Sequence, residues 1–449
     1  MKRHSHTHVQ GHRHITSSQI IILGFMSVIL AGSLLLMLPC STASGEGASF
    51  IEALFTSTSA VCVTGLVVED TATYWSVFGQ SIIMFLIQVG GMGVVTVAVA
   101  VTLFSGRKIG LMQRSTMQEA VSAHHVGGIV RLTKFILKTT VCIELAGAVL
   151  LLPAFIRDYG TVKGVWYAVF HSISAFCNAG FDLCGVREPF SSLTAYADQP
   201  LVNLTIMALI ITGGIGFLTW EDISKNHLNF RKYHMQTKVI VTTTGILILL
   251  PALYLFFFEY QGLPMGERVL SSLFQSVTPR TAGFNTTDLT AFSETGRMMI
   301  IMLMLIGGSP GSTAGGMKTT TMAVMLSSAA SVFCQNEDTH LFKRRISGKT
   351  VRTAATVFVI YITFPVLGSM IISSIEGLPM LSALFETASA IGTVGLSLGI
   401  TTELGLVSRL ILVALMFLGR VGGLTLVFAA VSATGINEVK YPQEIITVG

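Results

Sequence analysis

Four short stretches of this sequence share a pattern of residue types that could hold a dehydrated cation. Each runs from an aromatic residue through small and hydroxyl side chains to a glycine that Leu or Phe follows. The four are ALFTSTSAVCVTGL from Ala53, VFHSISAFCNAGF from Val169, LFQSVTPRTAGF from Leu273 and LFETASAIGTVGL from Leu384. Their near-regular spacing along the chain indicates an internal repeat. Small residues and glycines also pack membrane helices closely, but four copies in register favour the repeat.

A dehydrated cation needs oxygen ligands in place of water, and backbone carbonyl groups supply them without burying a full charge. A backbone that lines a path with carbonyls adopts angles that glycine permits and a side chain obstructs. We therefore predict a selectivity filter for a monovalent cation at and just before each glycine. Its expected members are Val63, Thr64, Gly65, Asn178, Ala179, Gly180, Thr281, Ala282, Gly283, Thr393, Val394 and Gly395.

The elements that position these residues have the composition of a membrane protein. The chain has 449 residues, 51% hydrophobic and only 11% charged, and its mean hydropathy is +0.70. A soluble domain has about a quarter of its residues charged. Apolar segments long enough to cross a bilayer as helices lie at 20–39, 77–104, 132–154, 201–219, 238–258, 297–330, 351–374 and 406–430.

Four shorter apolar stretches, near 49–60, 165–176, 268–278 and 380–391, are too short to cross. The non-helical backbone that follows each is tolerated at membrane depth only where protein buries it or it lines a water-filled cavity. We therefore expect an all-α integral membrane protein of four tandem helix–re-entrant pore loop–helix units. The units would have pseudo-fourfold symmetry around a central pore, with eight transmembrane helices.

The charges predict the orientation in the membrane. Most basic residues fall on segments that are cytoplasmic if both termini are inside, and acidic residues concentrate on the opposite face, where the short stretches enter. An acidic rim there would attract cations.

The first apolar segment lacks a signal-peptide cleavage site and is interpreted as a spanning helix. The expected divisions are a basic His-rich cytoplasmic tail at 1–19, pore unit 1 at 20–104, unit 2 with its preceding cytoplasmic loop at 105–219, unit 3 at 220–330, unit 4 at 331–430 and a cytoplasmic C-terminal segment at 431–449.

The sixth long segment is interrupted by GGSPGSTAGGMK, from Gly307 to Lys318. Its glycines and proline would destabilise a helix, so we expect a break beside the water-filled path, with a simple kink as the alternative. Arg420 lies deep in the last apolar segment, where a charge is costly and by default functional. The alternative is a structural arginine. Arg280, just before the third filter, is expected to act as a strut, and Glu144 has no partner that the sequence identifies.

Cysteines and histidines give weaker signals. The six cysteines lack CxxC pairing, and the role of small buried side chains is favoured over metal or disulfide roles. The histidines of the N-terminal tail could bind a metal, although such tails are usually disordered. No GxxxxGK[ST] or HExxH motif is present and no convergent acid–base set is evident, so neither a nucleotide site nor an enzyme is predicted.

At Gly392-Thr393-Val394-Gly395 the fourth loop resembles the TVG core of potassium-channel filters. Together with SAVCVTGL, FCNAGF, VTPRTAGFN and GRVGGLT, it makes the chain from about Ile20 onward resemble the Trk/Ktr/HKT superfamily of potassium-translocating subunits, and within it the KtrB-type membrane subunit of bacterial Ktr systems. The resemblance implies K⁺ at the filter residues and a gating loop at 307–318. The implied gate residues are Gly307, Gly308, Gly311, Gly315, Gly316, Lys318 and Arg420.

The expected function is potassium transport by a channel-like uptake subunit, which an intramembrane loop and a cytoplasmic partner gate. A Na⁺- or H⁺-coupled potassium symporter is the alternative, although no acidic residue lies among the filters. The resemblance implies a homodimer on a KtrA-like ring of nucleotide-binding subunits, in the plasma membrane of a bacterium with both termini cytoplasmic. No covalent cofactor and no nucleic-acid partner are expected. K⁺ is the transported ion, and activation by Na⁺ is left open.

Overall fold

The computed structural model describes residues 16–105, 110–121, 128–227 and 229–423, together with the single residues 425, 442 and 444. The histidines of the tail and nearly all of the predicted C-terminal segment lie outside these residues. The regular secondary structure of the described residues is helical apart from one hairpin of two two-residue strands, a small departure from the expected all-α fold. The hairpin pairs β1 (His340–Leu341) with β2 (Arg344–Arg345).

Sixteen α-helices occur within the described residues, in an order that repeats. The first half contains α1 (Ser17–Leu36), α2 (Phe50–Val61), α3 (Val77–Met92), α4 (Val94–Phe104), α5 (Leu111–Val121), α6 (Ile129–Tyr159), α7 (Thr161–Phe176), α8 (Pro200–Gly214) and α9 (Phe217–Asn226). The second half contains α10 (Met235–Tyr254), α11 (Met265–Val277), α12 (Glu294–Leu305), α13 (Thr319–Phe333), α14 (Gly348–Glu376), α15 (Met380–Gly392) and α16 (Leu406–Val421).

Four helices are each long and apolar enough to cross a membrane unbroken. They are α1 with 20 residues, α6 with 31, α14 with 29, and α10 with its π-helical end at Leu255–Glu259, which together make 25 residues. About 20 residues span the hydrocarbon core as a helix. Each of the four opens one of the predicted units, and each is followed by a short helix: α2, α7, α11 or α15.

A repeated hydrogen bond joins three of these short helices to the long helix before them. In each, a buried hydroxyl donates to a carbonyl of the long helix, and glycines in the long helices allow the close approach. A Cβ added to Gly32 or Gly147 would lie 2.5 Å from the hydroxyl oxygen. The three bonds are Ser57 Oγ to Ile29 O at 2.7 Å, Ser172 Oγ to Glu144 O at 2.6 Å and Thr387 Oγ1 to Pro365 O at 3.0 Å.

The second long helix is broken in units 1 and 2, which corrects the prediction of continuous helices at 77–104 and 201–219. Helices α3 and α4 meet at 95°, and α8 and α9 meet at 98°. The bends occur at Gly93 (φ 85°) and Gly216 (φ 93°), and α16 likewise ends before Gly422 (φ 90°). These backbone angles suit glycine and strain other residues, so the helix cannot continue through them. The predicted break between 307 and 318 is present, between α12 and α13.

Candidate ion filter and gate

The four glycine loops, numbered 1 to 4 in chain order, share one backbone conformation. In each loop the glycine and the residue two positions before it have positive φ, although the earlier residue is not glycine. Non-glycine residues seldom adopt such angles, and strain of this kind clusters at functional sites. The pairs are Val63 (54°) with Gly65 (89°), Asn178 (59°) with Gly180 (69°), Thr281 (67°) with Gly283 (78°) and Thr393 (50°) with Gly395 (92°).

The loops meet in a closed ring. A Cβ added to Gly65 would lie 3.1 Å from Gly180 Cα, one on Gly180 would lie 3.0 Å from Gly283 Cα, and one on Gly283 would lie 3.2 Å from Gly395 Cα. One on Gly395 would lie 2.9 Å from Gly65 Cα, which returns to the first loop. Each added Cβ would also collide with a carbonyl oxygen of the next loop, so the ring has no room for side chains at these positions.

Hydrogen bonds hold the loop backbones against their short helices. In loop 1, Thr64 N donates to Ser59 O at 2.8 Å and Gly65 N to Ser59 Oγ at 3.0 Å. In loop 4, Val394 N and Gly395 N bond to Ser389 O and Ser389 Oγ at the same distances. Because the N–H groups are directed toward the helix, the loop carbonyls of Thr64 and Val394 are free to face the neighbouring loops.

Loops 2 and 3 use the hydroxyl differently. Ser174 Oγ donates to Phe181 O at 2.7 Å, and Thr278 Oγ1 donates to Phe284 O at 2.6 Å. In both cases the bond fixes the residue after the glycine. The hydroxyl residues of the four-copy sequence pattern therefore support the loop backbone.

The two ends of the 307–318 loop lie side by side. Ile306 and Met317 form a parallel bridge, in which Gly307 N donates to Met317 O at 2.8 Å, and Thr319 N donates to Gly308 O at 3.0 Å. The residues between form a lobe beside the bends of neighbouring helices. Ser309 N donates to Gly214 O at 2.9 Å, and Phe217 N donates to Gly311 O at 2.8 Å, on either side of the α8–α9 bend.

The lobe contacts two of the glycine loops directly. Thr313 Oγ1 lies 3.1 Å from both Asn178 Oδ1 and Phe176 O, at loop 2. On the other side, a Cβ added to Gly315 would overlap the side chain of Thr393 in loop 4, and one on Gly316 would lie 2.9 Å from Gly392 O. The lobe therefore lies between loops 2 and 4, directly against the ring.

Arg420 and Lys318 hold the lobe through carbonyl groups. The Arg420 guanidinium donates to Thr313 O in the lobe, and to Gly90 O and Gly91 O at the end of α3, the last at 3.2 Å. Lys318 Nζ donates to Ala314 O at 2.8 Å. The residues that the sequence suggested for a gate are thus brought together. The partner of Arg420 is backbone carbonyl rather than carboxylate.

A cavity of about 750 Å³ opens on the side of the lobe away from the ring. It is lined by the lobe at Pro310, by Lys318 and Arg420, and by the helix breaks at Gly93 and Gly422. The broken helices thereby line the space behind the lobe. The sequence signal for these breaks is GGMGVVT from Gly90, GGIGFLT from Gly213 and GRVGGLT from Gly419, a second repeated pattern with three copies, of which only GRVGGLT entered the prediction.

Arg280 and Glu144 lie behind the ring. Arg280 Nη2 donates to Thr244 Oγ1 of α10 at 3.3 Å, so the guanidinium points away from the ring as a strut would. Gln88 Nε2 donates to Glu144 Oε2 at 3.2 Å, and Cys177 Sγ lies 3.9 Å from Glu144 Oε1. Gln88 is therefore the partner that the sequence did not identify.

A chain of apolar spanning helices, bent helix pairs and a ring of glycine loops defines a membrane protein with a transport path. Residues 1–435 match the TrkH family, described as a cation transport protein, and the chain belongs to this family. The match confirms the resemblance inferred from the motifs, and it confirms the expectation of a transporter rather than an enzyme.

Two similar relatives extend over nearly the whole chain. The Ktr system potassium uptake protein B of Bacillus subtilis is 39% identical, over 97% of this chain and 97% of that protein. The potassium/sodium uptake protein NtpJ of Enterococcus hirae is 38% identical, over 97% and 98%. The fold is similar to that of the potassium transporter TrkH from Vibrio parahaemolyticus, with a TM-score of 0.73 and 20% identity over 95% of this chain and 86% of that one.

Proposed function

We propose that this protein is the pore-forming subunit of a bacterial potassium uptake system. The observation that carries the proposal is the closed ring of Gly65, Gly180, Gly283 and Gly395, in which each loop presents a carbonyl to its neighbour. Rings of carbonyls are the ligands with which potassium filters replace the hydration shell. The relatives named for potassium uptake support the choice of ion. The fold is then four helix–re-entrant loop–helix units with eight membrane crossings, if each broken helix counts as one.

The 307–318 loop acts as the gate. Its lobe lies against loops 2 and 4, and the Arg420 guanidinium places a positive charge at its base, which repels cations while the lobe is closed. Opening requires the lobe to leave the ring, and the cavity behind it provides the space. The ring residues carry no ionisable side chain, which favours a channel-like path over coupled symport.

The relatives that are named as parts of Ktr systems support a regulatory partner for this chain. The chain works as a homodimer on a KtrA-like cytoplasmic ring, in the bacterial plasma membrane with both termini inside. The basic inner loops are the docking surface, and nucleotide dependence belongs to the partner.

The test is growth at limiting potassium of a bacterium that lacks its own potassium uptake systems, with a Ktr regulatory subunit supplied. Wild type restores growth, Gly395→Ser weakens the preference for K⁺ over Na⁺, and deletion of 310–316 gives uptake that no longer needs the regulatory subunit. Arg420→Gln also gives uptake without the regulatory subunit, because the lobe loses charged hydrogen bonds worth about 1.5–3 kcal/mol each. Failure of the wild type with the subunit present overturns the proposal.

A further inference from the structure

His171 is a completely buried histidine in α7 that has no part in the glycine ring. Its ring stacks on Phe155 with centroids 4.8 Å apart, and Nδ1 lies 2.8 Å from Tyr167 O. A carbonyl oxygen can only accept, so Nδ1 carries the proton and Nε2 has a free lone pair. Histidines that bind metals are oriented in this way, by donating the other ring N–H to a carbonyl or carboxylate.

Two donors compete for that single lone pair. Leu183 N lies 3.3 Å from His171 Nε2, and Cys184 Sγ lies 3.5 Å from the same atom. One imidazole nitrogen accepts one good hydrogen bond, and the 3.3 Å contact with Leu183 N is longer than a usual hydrogen bond from a backbone N–H. The lone pair of His171 Nε2 is therefore available to a ligand other than these two donors.

Asp182 completes a set of three metal-binding side chains. Its ligand oxygen, His171 Nε2 and Cys184 Sγ all lie within 4.8 Å of one another, the only such group of three or more that the described residues contain. Asp182 Oδ1 is held in place by Cys184 N at 2.9 Å. Bond lengths of about 2.05 Å to nitrogen and 2.3 Å to sulfur place tetrahedral ligands about 3.6 Å apart, which the His171–Cys184 separation already matches.

We propose that His171, Asp182 and Cys184 form a transition-metal site of the Zn²⁺ class behind glycine loop 2, with the fourth position open to water. Nitrogen, thiolate and carboxylate ligands together favour zinc over Ca²⁺ or Mg²⁺, which prefer oxygen alone. Asp182 is partly exposed and provides the entry path, whereas His171 and Cys184 are buried. Binding releases the Cys184 thiol proton to solvent, with no change of oxidation state.

The site connects two parts of the pore region. His171 belongs to the short helix α7, and Asp182 and Cys184 follow Gly180 directly in the chain. A metal would therefore fix the segment that leaves glycine loop 2 to the helix that enters it. The expected result is a protein that unfolds at higher temperature with metal bound, because a ligand that binds only the folded state stabilises it.

The experiment uses Co²⁺ as the probe, on the full-length purified chain. The five tail histidines, His4, His6, His8, His12 and His14, are first replaced by Ala, because they would bind the same ion. The expected result is one Co²⁺ per chain with a thiolate-to-cobalt charge-transfer band. Affinity falls as the pH is lowered, because the thiol must lose its proton.

Matched variants separate the site from other cysteines. Cys184→Ser abolishes the charge-transfer band, and His171→Asn weakens binding at least about tenfold, since loss of ligand geometry costs that much or more. Cys334→Ser, at an exposed cysteine, leaves the band unchanged. Size-exclusion profiles and potassium uptake by each variant check that it folds. A wild-type chain that shows no band, or a Cys184→Ser chain that keeps it, overturns the proposal.

Discussion

At the scale of single residues, the ring glycines are constrained twice, by a positive φ and by a close carbonyl oxygen of the next loop. A methyl group on Gly180 would lie 2.6 Å from Ala282 O, at a φ of 69° that alanine adopts only with strain. Such strain costs about 1–3 kcal/mol, which is a change of about 5- to 150-fold in an equilibrium constant. We expect Gly180→Ala to reduce potassium uptake at limiting K⁺ by that range. Gly245→Ala is the control, because no atom lies within 4 Å of the added carbon; equal uptake by both variants would contradict the role of the ring.

Gln275 in α11 is a buried side chain whose two polar atoms have no hydrogen-bond partner. The next residue, Ser276, matches Ser57, Ser172 and Thr387 of the other short helices, but it donates to Leu273 O of its own helix at 2.8 Å and not to the preceding long helix. An unsatisfied buried polar group costs about 1–3 kcal/mol. We expect Gln275→Leu to raise the midpoint of thermal unfolding in detergent.

Thr387→Val provides the comparison for that measurement. It removes a satisfied hydroxyl and leaves Pro365 O without its donor, so the unfolding midpoint should fall. A Gln275→Leu chain that is as unstable as Thr387→Val would show that Gln275 has a ligand in the folded protein.

At the scale of elements, the helix breaks determine where the gate lies. Gly216 has φ 93°, and a Cβ there would lie 2.6 Å from Pro310 O in the lobe. Gly216→Ala should therefore push the lobe away from the α8–α9 bend and destabilise the fold by about 1–3 kcal/mol. Thermal unfolding measures the loss of stability. Potassium uptake without the regulatory subunit measures the displacement of the lobe. Gly262→Ala, in open space, should change neither, and a Gly216→Ala chain that behaves like it would exclude the bend as a support of the lobe.

The sequence predicted these elements unevenly. The four long first helices and the short helices were evident, because apolar length and a repeated motif each suffice to identify them. The bends at Gly93 and Gly216 were not predicted, since the apolar run continues through both glycines and hydropathy carries no information about φ. The break at 307–318 was predicted because its glycines and proline are concentrated in one place.

The site was predicted by residue type, and the family resemblance also placed Arg420 at the gating loop, but most individual partners were not predicted. The glycine positions followed from the repeat, and the structure brings all four into one ring. The contact of Thr313 with Asn178 joins residues 135 apart in the chain, and Arg420 contacts Gly90 across 330. No local pattern predicts contacts at such separations. Glu144 was noticed as a charge in an apolar segment, but its partner Gln88 was not.

At the scale of the whole molecule, the basic hairpin turn tests the proposed partner. Lys343 and Arg344 are exposed at the end of the hairpin between α13 and α14. Replacing Lys343 and Arg344 by Glu should weaken the activation of uptake by the regulatory ring. The activation should also depend less on salt concentration, because charges at the rim of an interface mainly set association rates. Uptake should be measured with and without the ring. Arg157 and Lys163, which belong to the opposite face of the predicted topology, provide the control pair; an equal loss in both pairs would exclude a specific docking role for the hairpin.

The lobe lies against the ring from one side and belongs to the third repeat alone. In an assembly of four identical chains the same lobe would occur four times, and the copies would exclude one another at the axis. Fusion of four units into one polypeptide removes that conflict. It allows one repeat to supply the lobe and another to supply Arg420, which holds it. Covalent linkage thus lets four repeated units differ in the parts they supply, while the shared glycines keep the ring closed.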